Sequence, residues 1–154
     1  MKYFTIQELT KSATATRLGI DNTPDAVVRY NLIALIEQVL DPLREAWGAP
    51  IIVTSGYRCE RLNKAVGGAT NSQHRKGEAA DIRTLSDSRA DNMRLLRLLL
   101  RMKLPFDQVI AEYVDAQGRP DWIHVSHSRK SNRGSKLTAS RIGKATIYSQ
   151  GINV

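Results

Sequence analysis

Two histidines and an aspartate are the residues of this chain best equipped for chemistry. His74 and Asp81 lie in Ser72-Gln73-His74-Arg75-Lys76-Gly77-Glu78-Ala79-Ala80-Asp81, and His124 lies in Asp121-Trp122-Ile123-His124-Val125-Ser126. The pattern is H-x6-D, followed far downstream by D-x-x-H. Two imidazoles and a carboxylate occupy three positions of a tetrahedral zinc ion and leave the fourth open, as a hydrolytic site requires. The chain has three histidines, and two of them fall in these motifs. A histidine or an aspartate alone on a strand is more often a hydrogen-bonded structural residue, so the weight rests on their joint occurrence.

Further groups stand near them in sequence. Asp121, three residues before His124, is placed to take a proton from a metal-activated water. Read alone, it is a turn residue after Gly118-Arg119-Pro120. Glu112 is the competing carboxylate, one strand earlier. Arg58 follows a tight Ser55-Gly56 turn. Its fixed charge suits a tetrahedral oxyanion or a substrate carboxylate, and equally a structural ion pair.

These side chains need a scaffold, and the hydrophobic pattern supplies one. Thr5 to Gly19 reads as a short helix with a loose Ser/Thr/Ala-rich end. Thr23, Pro24 and Asp25 form a helix start, with a cap, a first-turn proline and an acidic group at the positive end. Val28, Leu32, Leu35, Ile36, Val39, Leu40 and Leu43 then recur at helical spacing. That predicts a long amphipathic helix to about Trp47, kinked at Pro42 and stopped by Gly48. Pro50 to Ser55 reads as a β-branched strand, Glu60 to Val66 as a short helix, and the segment to Gly77 as a loop. Ala79 to Arg83 reads as a strand and Ser88 to Lys103 as a second long helix ended by Pro105. Gln108–Tyr113, Trp122–Ser126 and Ala145–Ser149 are further strands, the first two joined by a hairpin at Asp115-Ala116-Gln117-Gly118. Helices first, then strands joined by hairpins, predict an α+β domain with a small antiparallel sheet carrying the site. His124 would share a strand face with Trp122 and Ser126, opposite Ile123 and Val125.

The totals narrow the class. At 154 residues, 42% hydrophobic and 25% charged, the chain suits one globular domain over 1–154: a helical lead-in (1–48), a motif-bearing core (49–126) and a basic C-terminal segment (127–154). No run reaches the roughly 20 apolar residues of a membrane span. The N-terminus has no apolar secretory region. Synthesis in the cytoplasm, then release by lysis, a holin-type pore or another carrier, is the expectation. One cysteine, Cys59, permits no internal disulfide. The net charge of +8 favours polyanions: nucleic acid, anionic lipid or the bacterial wall. The densest basic stretch, Arg129 to Lys136, has no aromatic residue and lacks the stacking platform of a single-strand binder. It reads as a solvated loop or as a docking element for an anionic polymer.

One ordered set of motifs resembles a known family. Ser55-Gly56-Tyr57-Arg58-Cys59, Leu62-Asn63, Val66-Gly67-Gly68, Ser72-Gln73-His74, Gly77, Ala80-Asp81 and Trp122-Ile123-His124-Val125-Ser126 look like the zinc D-Ala-D-Ala carboxypeptidases. That family includes the VanX-like dipeptidases and the L-Ala-D-Glu endopeptidases of phage endolysins, and shares its fold with the zinc domain of Hedgehog proteins. The resemblance spans nearly the whole chain. It implies that His74, Asp81 and His124 bind zinc, and that Asp121 is the general base where many relatives carry Glu. It implies that Arg58 stabilises the transition state and Ser72 touches substrate. It assigns nothing to His127, which reads as a surface residue or a neighbour of the ligands. The expected activity is hydrolysis in peptidoglycan stem peptides, of the D-Ala-D-Ala carboxypeptidase type; the alternative is cleavage between L-Ala and D-Glu. Two other classes compete: a zinc-bearing wall-binding module without catalysis, and a basic nucleic-acid protein with no need for the histidines. No obligatory nucleic-acid partner is expected, and the sequence is silent on oligomeric state.

Overall fold

The computed structural model describes residues 1–154. Its helices are α1 (Ile6–Thr10), α2 (Ala13–Leu18), α3 (Ala26–Leu35), α4 (Asp41–Trp47), α5 (Glu60–Ala65) and α6 (Arg89–Arg101). Its strands are β1 (Ile51–Ser55), β2 (Ala79–Thr84), β3 (Gln108–Glu112), β4 (Trp122–Ser126), β5 (Ser135–Ile142) and β6 (Ala145–Gln150). The strands form one sheet in the order β1-β2-β4-β3-β5-β6. All neighbours are antiparallel except β3 and β5, which run parallel. The sheet is therefore mixed, where hairpin logic predicted a purely antiparallel one. The α+β class and the site on the sheet are as expected.

The departure comes from β5. Its residues read as the edge of a solvated loop, because Lys136, Ser140 and Arg141 give no apolar alternation. Tertiary anchoring makes it a strand. Arg133 forks onto Asp107 through Nε and Nη2 (3.0 and 2.6 Å), and the Ser135 amide donates to the Asp107 carbonyl. The chain is thereby delivered alongside β3.

The helical half follows local chemistry. The predicted helix over 5–19 is two helices, because Ser12 leaves helical geometry to cap α2 through the Ala15 amide. Thr5 and Glu8 form a reciprocal capping box at α1. The long helix bearing Pro42 is continuous, but it widens to a π-turn over Ile36–Leu40 just before the proline. A proline has no N–H to donate and its ring crowds the turn before it, and a single widened turn relieves that crowding. Asp41, buried there, accepts from the amides of Lys2, Tyr3 and Phe4 and ties down the N-terminus.

Register divides the sheet into two faces. Ile82, Ile123 and Ala111 align across β2, β4 and β3, as do Ala80, Val125 and Val109, all fully or almost fully buried. These face the core with Leu32, Leu35, Ile36, Leu40, Leu43, Leu95, Leu96 and Leu99. Asp81, His124 and Ile110 align on the opposite face, away from the helical core.

Candidate metal centre and its surroundings

His74 is held from three directions. It sits in a single 3-10 turn, Gln73–Lys76, capped by Ser72, whose hydroxyl accepts from the His74 amide at 3.3 Å. Gly77, at φ 69°, ends the turn in a left-handed conformation. The ring Nδ1 lies 2.7 Å from the Gly56 carbonyl, which fixes Nδ1 as the protonated nitrogen and frees Nε2. Gly56 itself must be glycine: a Cβ there would meet the Leu9 carbonyl oxygen at 2.1 Å. That carbonyl also accepts from the Tyr57 amide at 2.6 Å. The Ser-Gly-Tyr turn thus clamps α1 on one side and His74 on the other.

Asp81 and His124 are direct partners in the β2–β4 register. His124 Nδ1 lies 3.0 Å from Asp81 Oδ1, and His74 Nε2 lies 3.4 Å from the same oxygen. The two imidazole rings stand edge to face, with centroids 5.1 Å apart. One ligand atom from each residue falls within 4.8 Å of the others. Tetrahedral zinc with nitrogen and oxygen ligands at about 2.0–2.1 Å requires them about 3.3 Å apart. The donor set, its spacing and the carbonyl orienting His74 fit a zinc ion. The Asp81 carboxyl is held far below the ordinary carboxylate range by the two histidines, which outweigh its burial.

The two carboxylates considered as bases are placed differently. Asp121 lies in the bend just before β4, and its carboxylate is half-exposed and lies 3.5 Å from Arg89 Nη2 on α6. The Asp121 carbonyl accepts from Asn92 of the same helix. The ligand atoms that converge are those of His74, Asp81 and His124, and Asp121 is paired with Arg89. Glu112 shares its face with Ile110 and His124, paired in register with Trp122. It is buried; its backbone carbonyl accepts from the Asp121 amide at 2.9 Å, while its carboxylate takes part in no hydrogen bond or ion pair. Burial pushes its carboxyl up to about 7; His124 lowers it and the Asp81 charge raises it. A bound cation in the cluster would draw it back toward the charged form.

The remaining predicted residues also have clear positions. Burial lowers the Arg58 guanidinium from its ordinary value, with Asp81 offsetting part of that effect. Its Nε is sealed from solvent without an acceptor. Ser72 acts as the cap of the His74 turn. His127 is not a surface residue: it is buried, with Nδ1 2.6 Å from the Pro105 carbonyl. Two supports escaped the sequence reading. Gln73 donates to Asp107, so the same carboxylate that anchors Arg133 also steadies the His74 turn. Tyr113 stacks on Trp122 at 5.0 Å, carries Arg141 over its ring at 4.6 Å and reaches Thr146, fastening β5–β6 beside Glu112.

A two-histidine, one-carboxylate cluster on the face of a mixed sheet away from its helical core could hold a metal ion of the kind hydrolytic sites use. The model of the family described as Peptidase M15 matches residues 2–126, and the chain belongs to that family. No curated protein matches the chain. Membership of that family makes it a peptidase.

Proposed function

We propose that the protein is a zinc peptidase of peptidoglycan stem peptides, of the D-Ala-D-Ala carboxypeptidase type. The observation that carries this reading is the convergence of His74, Asp81 and His124 from a turn and two neighbouring strands. When bound there, zinc supplies a Lewis acid for the scissile carbonyl and acidifies water. Glu112, rather than Asp121, takes the proton of the attacking water and returns it to the leaving amine. Its burial and the freedom of its carboxylate from hydrogen bonds support that role. Arg58 presents its unpartnered guanidinium to the carbonyl oxygen as negative charge develops. His74 keeps its orientation through the Gly56 carbonyl, and Ser72 holds the turn beneath it.

Purified muropeptides incubated with the zinc-loaded protein, beside a chelated sample, test the proposal by mass spectrometry. Chelator-sensitive loss of one terminal D-Ala is the expected result. Cleavage between L-Ala and D-Glu would keep the peptidase and change its bond. No product from several wall chemistries, with zinc bound, would leave a wall-binding module.

A further inference from the structure

A cavity of about 610 Å³ is lined by all five consecutive residues of β1 and by Gly56 and Arg58, and the Gly56 carbonyl is the one that holds His74. Successive side chains of a strand point to opposite faces, so five in a row can border one space only along the strand's edge. β1 ends the sheet and pairs with β2 alone. No backbone hydrogen bond of Ile51–Ser55 leaves for another part of the chain. An uncovered edge of this kind is a template for another extended chain. Here it has a roof, formed by the end of α1 and the start of α2, and a floor that includes Leu62 and Val66.

The charges bordering this space are uncompensated. Lys11 and Arg58 line it, and neither takes part in any ion pair of the molecule. Arg58 Nε is desolvated without an acceptor. The one carboxylate in the lining, Glu8, is already engaged with the amide and hydroxyl of Thr5. Cations left unpaired at the rim of an unpaired strand edge fit a peptide that brings its own carboxylate.

We propose that this groove binds the substrate as an extended, carboxylate-bearing peptide. It adds to the sheet along β1 as a seventh strand and passes Arg58 into the cluster. The inference rests on the peptidase reading and names how that substrate is held. A five-residue strand spans about 17 Å, room for four or five peptide residues. Backbone pairing tolerates varied side chains, while Lys11 selects an acidic one. The groove then makes length matter: a dipeptide uses the cluster alone, and a longer peptide uses both.

The test uses the full chain loaded with zinc, a synthetic five-residue stem peptide, and the D-Ala-D-Ala and L-Ala-D-Glu dipeptides. Lys11→Glu reverses the free charge, and Ala13→Trp plugs the roof; both positions are exposed, so both variants keep the core. Each should raise KM for the five-residue peptide about tenfold with kcat unchanged, and leave the dipeptides untouched. In parallel, amide hydrogen exchange is followed in the double variant Glu112→Gln with Asp121→Asn, in which both candidate bases are gone and cutting is expected to stop. Exchange at Ile51–Ser55 should slow when the five-residue peptide is added. Cleavage by the wild type, with no protection at β1 and no KM change in either variant, would overturn the groove and spare the peptidase. Protection at β1 with no cleavage of any peptide would keep the groove and sink the peptidase. Neither binding nor cleavage would sink both.

Discussion

At the scale of single residues, the choice between two carboxylates is the sharpest question. Asp121 is tied to Arg89 on the helix side, whereas Glu112 faces the cluster unencumbered. Glu112→Gln should retain one zinc per chain and lose about 10²–10⁴ in kcat, the usual worth of a positioned base. Asp121→Asn should keep activity within about an order of magnitude, because its carboxylate makes only an exposed ion pair. The reverse ranking in steady-state kinetics would restore Asp121 as the base. His74→Ala, Asp81→Ala and His124→Ala should each lose bound zinc by elemental analysis as well as turnover. The three cluster residues were legible because their types and spacing repeat a known chemical requirement. The motif singles out Asp121, whereas Glu112 gains its claim only from the register of β3 on β4, which puts it on the face of His124.

At the scale of elements, the Ser-Gly-Tyr turn after β1 joins two halves of the fold. Gly56→Ala forces a methyl into the Leu9 carbonyl, and neither backbone can yield cheaply. A loss of at least about 3 kcal/mol is expected in denaturant unfolding, large even for a core substitution. The Asp107 anchor gives a pH prediction. Arg133 above all holds its carboxyl down at about 2, with Gln73 contributing. An unfolded aspartate titrates near 3.9, so the anchor's contribution is full above that pH and is lost as pH falls toward about 2. Asp107→Asn should therefore flatten the acid limb of stability between about pH 4 and 2, as followed by circular dichroism. Helix starts, the strand before Gly56 and the strand bearing His124 could be read from caps and periodicity. β5 could not, since Arg133–Asp107 joins residues 26 apart and only the folded chain shows it.

At the scale of the molecule, charge is unevenly spread. After Ser126 the chain has six basic residues and no acidic one, and the family match also stops at Ser126. The basic hairpin therefore extends the sheet beyond the matched region. Digestion of intact wall should fall as salt rises from roughly 0.05 to 0.5 M, while cleavage of a soluble peptide stays level. Equal salt dependence for both would remove any role of the charge in wall attachment. The sheet order has a consequence for synthesis. β2, β4 and β3 lie inside, and the strands flanking them are the first and the last two to be made. A nascent chain can therefore assemble all three cluster residues while the outer edge of β3 is still bare. Until Arg133 emerges and docks, that edge is the point at which two ribosome-bound or newly released copies can pair. A chain stopped after Ser128 should take up zinc yet sediment as self-associated species, and adding the missing residues back should return it to a single small one.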